Sequence, residues 1–158
     1  DTAVQVSRAA QNLAKYTVKS NAPDRSMMAR SGFADRQRLG FGAFATLKQL
    51  EVHRYPTVAT LLQSIRGISL EYDGQGRPVP MMRGFGTGRC IPLFIIDNMV
   101  MEVTGASPRS GGKPFTDIEA LVSSPLILGI EVYPSAMVPI EFDRNSLSGC
   151  GVVVIWTR

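Results

Sequence analysis

A run of β-branched residues ends the sequence: Gly149-Cys150-Gly151-Val152-Val153-Val154-Ile155-Trp156-Thr157-Arg158. Residues 152–156 predict a strand, because β-branched and aromatic side chains pack well on a pleated surface. Residues 91–96 form the other long apolar stretch, and it also has the length of a strand. Neither approaches the roughly eighteen apolar residues that a membrane-spanning helix needs.

The clearest helical pattern follows Pro56, where four apolar residues recur at the spacing of one helix face. Thr57 is its expected N-cap, and Gly67 is expected to end it. The four residues are Val58, Leu61, Leu62 and Ile65.

Shorter elements are predicted on both sides of this helix, with turns between them. Fifteen Gly and ten Pro residues are more than a helical bundle tolerates, so the class is expected to be mixed α and β. The predicted elements are a helical turn at 34–38 ended by Gly40, an extended segment at 41–46, strands at 68–72, 80–83 and 127–133, a hairpin turn at Asp97-Asn98, a short helix from a capping box of Thr116 and Glu119, and a turn-rich connector at 134–142.

The length of 158 residues predicts one domain with one core, and the charge is unevenly distributed along it. Nine of the seventeen basic residues but only four of the thirteen acidic ones lie in residues 1–54. Residues 1–32 show little periodicity apart from a short strand near 4–6, and they predict an extended basic N-terminal arm before a domain at 33–158. A solvated surface is the simplest interpretation of the arm. Anionic lipid or an acidic protein face are the alternatives, and no nucleic-acid partner is expected.

Two cysteines, Cys90 and Cys150, are too few for a thiolate metal site and lack the spacing of a redox motif. A structural disulfide is the favoured interpretation, and it requires an oxidising compartment. Export agrees with a chain that opens on Asp1, as expected after removal of a signal peptide. Two reduced thiols in a cytosolic core are the alternative.

The sequence offers little that supports catalysis, so no enzymatic activity, cofactor or metal is expected. His53 is the only histidine, and it lies in a charged stretch without the Gly-x-Ser-x-Gly motif of a serine hydrolase. Residues 83–89, Arg-Gly-Phe-Gly-Thr-Gly-Arg, resemble a phosphate-binding loop. However, an apolar strand follows them instead of the helix that such a site needs. A hairpin loop is the favoured interpretation, and an enzyme based on this loop and His53 is the weakest alternative.

Several separate blocks, in one order, resemble the plug domain of TonB-dependent outer-membrane receptors. The version similar to this chain often follows a carboxypeptidase-regulatory-like domain, and the similarity runs over residues 33–158. The matching blocks are Thr57-Val58-Ala59-Thr60-Leu61-Leu62, Ile65-Arg66-Gly67-Ile68, Met82-Arg83-Gly84, Pro92-Leu93-Phe94-Ile95-Ile96-Asp97-Asn98, Ile118-Glu119, Gly129-Ile130-Glu131-Val132-Tyr133, Val138-Pro139-Ile140-Glu141-Phe142 and the terminal run quoted above.

The resemblance implies an α+β fold with a small mixed β-sheet and two or three short helices. It places the apical loops of the family near residues 84–89 and 107–113. The candidate interaction residues are therefore Arg83, Gly84, Phe85, Gly86, Arg89 and Arg109.

A plug in this family occludes a 22-stranded barrel, yet the sequence stops at Arg158, where that barrel would begin. We therefore expect a non-enzymatic periplasmic plug-like module. It would be an accessory subunit that binds protein partners of a larger membrane-bound complex, with peripheral membrane contact through its basic arm. The alternative is a plug fragment of a TonB-dependent transporter, which occludes the barrel and helps to bind ligand.

Overall fold

The structure is a computed structural model, and it describes residues 27–84, 88–101, 117–143 and 147–158. It confirms the α+β class, with short helices packed on a mixed sheet. The described residues contain five α-helices, where two or three were expected: α1 Met27–Arg30, α2 Phe33–Leu39, α3 Leu47–His53, α4 Val58–Gln63 and α5 Ile118–Leu121. The strands in the same residues are β1 Ala43–Thr46, β2 Ser69–Tyr72, β3 Pro78–Arg83, β4 Arg89–Cys90, β5 Leu93–Ile96, β6 Met99–Met101, β7 Ile127–Tyr133 and β8 Val152–Thr157.

Five of the described strands form the larger sheet, in the order β1-β7-β8-β5-β6. The terminal β-branched run is its middle strand, β8, which is antiparallel to β7 and parallel to β5. Residues 152–156 are all buried, because side chains pack on both faces of the sheet. β2, β3 and β4 form a separate antiparallel sheet.

Two apolar clusters lie on opposite sides of β8, since its side chains alternate between the faces. Val153 and Ile155 belong to the larger cluster, which contains the four apolar residues of the predicted helix. Val152, Val154 and Trp156 belong to the smaller cluster, which contains Phe33, Tyr133 and Phe142.

The helix predicted after Pro56 is confirmed as α4, although it ends at Gln63, before Gly67. Thr57 caps it by accepting a hydrogen bond from the Thr60 amide at 3.2 Å. Glu119 accepts from the amides of Val58 and Ala59, at 3.0 and 2.8 Å. The adjacent Thr57 and the distant Glu119 therefore together satisfy free amides at the start of α4.

The helix predicted near Thr116 and Glu119 is present as α5, but its capping differs from the prediction. Asp117 is the N-cap and accepts from the Glu119 amide at 3.0 Å. The Glu119 carboxylate contacts the start of α4. Thr116 lies outside the described residues.

Two helices were not predicted. Residues 27–32 were assigned to the extended arm, yet Met27–Arg30 forms α1, because Met28 packs against the smaller apolar cluster. The rest of the arm, with its predicted strand, lies outside the described residues. α3 follows β1 directly, and the Gln49 side chain accepts from the Thr46 amide at 2.9 Å to begin it.

The predicted turn residues are confirmed where the backbone needs positive φ. Gly40 has φ 73° and its amide donates to the Arg36 carbonyl, which ends α2. Asp97 and Asn98 have φ 47° and 73° in the hairpin between β5 and β6.

Candidate interaction surface

A buried carboxylate organises one side of the larger sheet. Glu131 lies in β7 with no exposed surface. It accepts from Nε and Nη2 of Arg36, at 2.8 and 2.7 Å. The Tyr133 hydroxyl and the Trp156 indole also donate to it, at 2.5 and 2.6 Å. We call these four residues the Glu131 cluster, and its four hydrogen bonds compensate the burial of a charge.

The surroundings of this cluster keep its donors protonated. Burial lowers the pKa of Arg36, but the hydrogen bond and the charge of Glu131 raise it by more, so the net pKa lies above the ordinary value. Burial and the hydrogen bond to Glu131 raise the pKa of Tyr133. Both side chains therefore remain donors over the physiological pH range, and neither can serve as a general base there.

Arg36 also holds the connector that follows β7. Its Nη1 donates to Glu141 at 2.6 Å, and its guanidinium lies over the Phe142 ring, 4.8 Å from the centroid. One side chain thus joins α2, β7 and the connector through a bidentate ion pair, a second ion pair and a cation–π contact. The relative position of α2 and the connector depends on this junction.

Exposed apolar side chains lie beside the junction, on both of the segments that Arg36 joins. Leu39 and Phe41, at the end of α2 and just after it, are 63% and 60% exposed. Met137 and Ile140, on the connector, are 52% and 91% exposed. All four line a groove of about 620 Å³. We call them the apolar surface.

Such a surface is chemically suited to binding another macromolecule. Grouped exposed apolar side chains mark contact sites for proteins or membranes, whereas isolated ones are ordinary. Glu141 also lines the groove, and its carboxylate, in a side chain that is 52% exposed, supplies a polar group there. An apolar centre with a polar border is the usual composition of a protein interface.

The candidate loop residues lie elsewhere and are only partly described. Arg83 and Arg89 lie opposite each other on β3 and β4, and Arg89 approaches Glu71 at 3.6 Å. Phe85, Gly86 and Arg109 lie outside the described residues.

Cys90 and Cys150 form a disulfide with Cα atoms 5.7 Å apart, which is the pairing that the sequence favours. Cys90 is in β4, and Cys150 immediately precedes the Gly151 that leads into β8. The bond therefore joins the small sheet to the middle strand of the large one.

Gly84 touches this disulfide, so an alanine there is expected to destabilise the protein. An added Cβ would lie 2.5 Å from Cys90 Sγ and 3.7 Å from Cys150 Sγ, and neither sulfur is the free end of a flexible chain. Gly84→Ala is expected to lower the free energy of unfolding by about 1–3 kcal/mol, as overpacking does. Urea unfolding measures this.

Gly88→Ala is the matched control, because its Cβ would have no described atom within 4 Å. It is expected to change the free energy of unfolding by about 0.5 kcal/mol or less. Equal effects of the two substitutions would contradict a contact between Gly84 and the disulfide.

His53 is exposed and has a local structural role. Its Nδ1 lies 2.9 Å from the Gln49 carbonyl oxygen, and its ring stacks on Tyr55 with centroids 5.7 Å apart.

In the part of the chain that the structure describes, no group of three His, Cys, Asp or Glu residues is arranged to bind a metal ion. The same part contains no helix of the length and hydropathy needed to cross a bilayer.

No functional role was predicted from the sequence for Glu131, Arg36 or the apolar surface. The sequence does contain one indication of the buried carboxylate, because Glu131 stands between Ile130 and Val132 in a strand that is apolar on both faces. A carboxylate there needs a buried partner. Exposed Phe41 and Ile140 carry no comparable signal, since sequence alone does not distinguish an exposed apolar residue from a buried one.

No protein-family model matches this chain, and no curated protein matches it.

Proposed function

We propose that this chain is a non-enzymatic, plug-like interaction domain of the periplasm, which docks on a larger membrane-associated assembly. The observation that carries the proposal is the apolar surface: four exposed side chains around one groove. The basic segment that precedes α1, residues 1–26, is a second contact, to an acidic protein face or to anionic headgroups.

The geometry of the Glu131 cluster supports this function. A docking surface gives affinity when its side chains are already positioned before the partner arrives. Arg36 fixes α2 and the connector against Glu131 and Glu141, so Phe41 and Ile140 lie on supported segments. Burial of apolar surface is the main favourable contribution to most protein–protein association, so a partner that covers these side chains gains affinity.

Native mass spectrometry of the full chain, purified from its own cells in mild detergent, tests the proposal. We expect the 17.2 kDa wild-type chain in a larger assembly. Phe41→Ser combined with Ile140→Ser is expected to weaken binding to the assembly about 10–100-fold. Each substitution removes about 1 kcal/mol or more of apolar burial, and about 1.4 kcal/mol is a factor of ten.

Val52→Ser is the matched control, because Val52 is 73% exposed and lies outside the apolar surface. It is expected to leave the assembly intact, and near-ultraviolet circular dichroism checks that every variant keeps its packing. A wild-type chain that is purified as a lone monomer would contradict the proposal, as would an assembly that retains the double variant.

A second candidate is the plug domain of a TonB-dependent outer-membrane transporter, favoured by the ordered sequence blocks that resemble this family. In that case the larger partner is the barrel of the same polypeptide. The coding sequence after the Arg158 codon separates the two functions. Several hundred further codons with a barrel strand pattern support the transporter, and a stop codon supports the separate module.

A further inference from the structure

The free edge of β1 is a second candidate contact, separate from the apolar surface. Among the described strands, β1 pairs only with β7, so it is an edge of the larger sheet. A groove of about 520 Å³ runs along residues 42–45, and Gln49, His53 and Arg66 belong to its lining. It shares no lining residue with the groove of the apolar surface.

The backbone of β1 shows which groups face this groove. Residues of an antiparallel strand alternate between bonding the partner strand and pointing away from it. The Thr46 amide donates to the Gln49 side chain, so it points away from β7. The same alternation directs the N–H and C=O of Phe44 to the free edge, while Ala43 and Ala45 bond β7 opposite Val132 and Ile130.

The side chains around the groove indicate which segment fits it. Ala43 and Ala45 are small and lie on the face that carries the larger apolar cluster, together with Leu50 and Tyr55. A strand placed beside them would put alternate side chains on this face. An apolar residue there meets the other apolar groups of the lining.

The charged side chains of the lining favour an acidic segment over a second copy of this chain as the occupant of the groove. Arg66 and His53 are its titratable basic groups, both are exposed, and its described lining contains no Asp or Glu. A second copy of this chain would bring the same basic groups together, which is unfavourable. An acidic segment instead places a carboxylate near Arg66.

We propose that the β1 edge binds an extended acidic peptide segment of a partner protein by strand addition. The peptide backbone bonds Phe44 as a sixth strand, which is a known way in which a sheet edge binds a peptide. An apolar residue and an acidic residue two positions apart lie on the face of Ala43 and Ala45, where the acidic residue meets Arg66. This inference goes beyond docking through the apolar surface and does not depend on it.

The test uses the full chain, labelled with ¹⁵N, and the capped peptide Thr-Val-Thr-Glu-Thr-Val-Thr. Its Val-Glu-Val face reads the same in either chain direction. On binding, we expect hydrogen exchange of the Phe44 amide to slow at least about tenfold, because the amide gains a partner. The Ala45 amide is an internal control, since it already bonds β7 and should not change.

Two peptide controls examine the backbone contact and the charge. Two peptide variants carry a single N-methyl group, one on the Glu amide and the other on the amide of the preceding Thr. Only alternate amides of the peptide face β1, so only one of the two variants is expected to lose affinity, by at least about tenfold. Arg66→Glu is expected to weaken binding of this peptide at least about tenfold and to favour the analogue with Lys in place of Glu. Arg83→Glu, outside the groove, should bind as the wild type does.

Several outcomes would overturn the proposal. One is that the peptide does not bind, or that it binds without protecting the Phe44 amide. Equal binding of both N-methylated peptides would exclude strand addition. If Phe44 is already protected in the free chain, residues 1–26 or a second copy occupy the edge instead, and sedimentation separates these two by showing a monomer or a dimer. None of these outcomes concerns the apolar surface, so the proposed function is tested independently.

Discussion

Glu131→Gln is expected to lower the free energy of unfolding by about 3–5 kcal/mol, the usual effect of breaking a buried ion pair. The substitution keeps the shape of the side chain but replaces one acceptor oxygen by an amide donor. Each carboxylate oxygen of Glu131 accepts from one Arg36 nitrogen and from one aromatic donor. A donor in either position therefore faces a nitrogen of Arg36 and leaves it without an acceptor. Urea unfolding followed by tryptophan fluorescence measures the loss.

Glu141→Gln is the matched control for this prediction, since Glu141 bonds the same guanidinium but its side chain is 52% exposed. It is expected to cost about 0–1 kcal/mol, as exposed ion pairs do. The double variant of Glu131→Gln with Arg36→Met should lose less stability than the sum of its single variants, by about 1–3 kcal/mol, because both partners are removed together. Additive losses, or a Glu131→Gln variant as stable as the wild type, would show that the cluster does not act as a unit.

The parts of the fold that could be predicted from the sequence are those in which neighbouring residues decide the structure. The four apolar residues spaced along one helix face after Pro56 lie in and just after α4, and Asp97-Asn98 forms the turn between β5 and β6. Both could be predicted because periodicity and turn chemistry are local properties. Four other predicted strands, at 68–72, 80–83, 91–96 and 127–133, correspond to β2, β3, β5 and β7 within about two residues, the usual uncertainty of element ends.

The features that were missed depend on contacts between distant residues. The ion pair of Arg36 and Glu131 spans 95 positions, and the bonds from Val58 and Ala59 to Glu119 span 61 and 60. α3 was missed because it buries no residue fully, so its apolar pattern is weak. The candidate interaction surface needed the three-dimensional arrangement, since it unites the end of α2 with a connector about one hundred residues away.

Removal of the disulfide by Cys90→Ser with Cys150→Ser is expected to lower the free energy of unfolding by about 4 kcal/mol. The bond closes a loop of 60 positions, and its absence gives the unfolded chain more conformational freedom. With a denaturant slope of about 2 kcal/mol per M, the urea midpoint should fall by about 2 M. The slope itself should rise, since an unfolded chain without the cross-link exposes more surface.

Reduction of the wild type separates the cross-link from the side effects of the two serines. Wild-type protein in excess dithiothreitol should unfold at the same urea concentration as the double serine variant, because both lack the connection between β4 and the start of β8. A stability loss below about 1 kcal/mol would mean that the bond constrains little of the unfolded chain.

Alkylation during isolation tests whether the bond forms in the cell. Two alkylated cysteines in freshly isolated protein would contradict both the disulfide and the oxidising compartment on which the proposed periplasmic function depends.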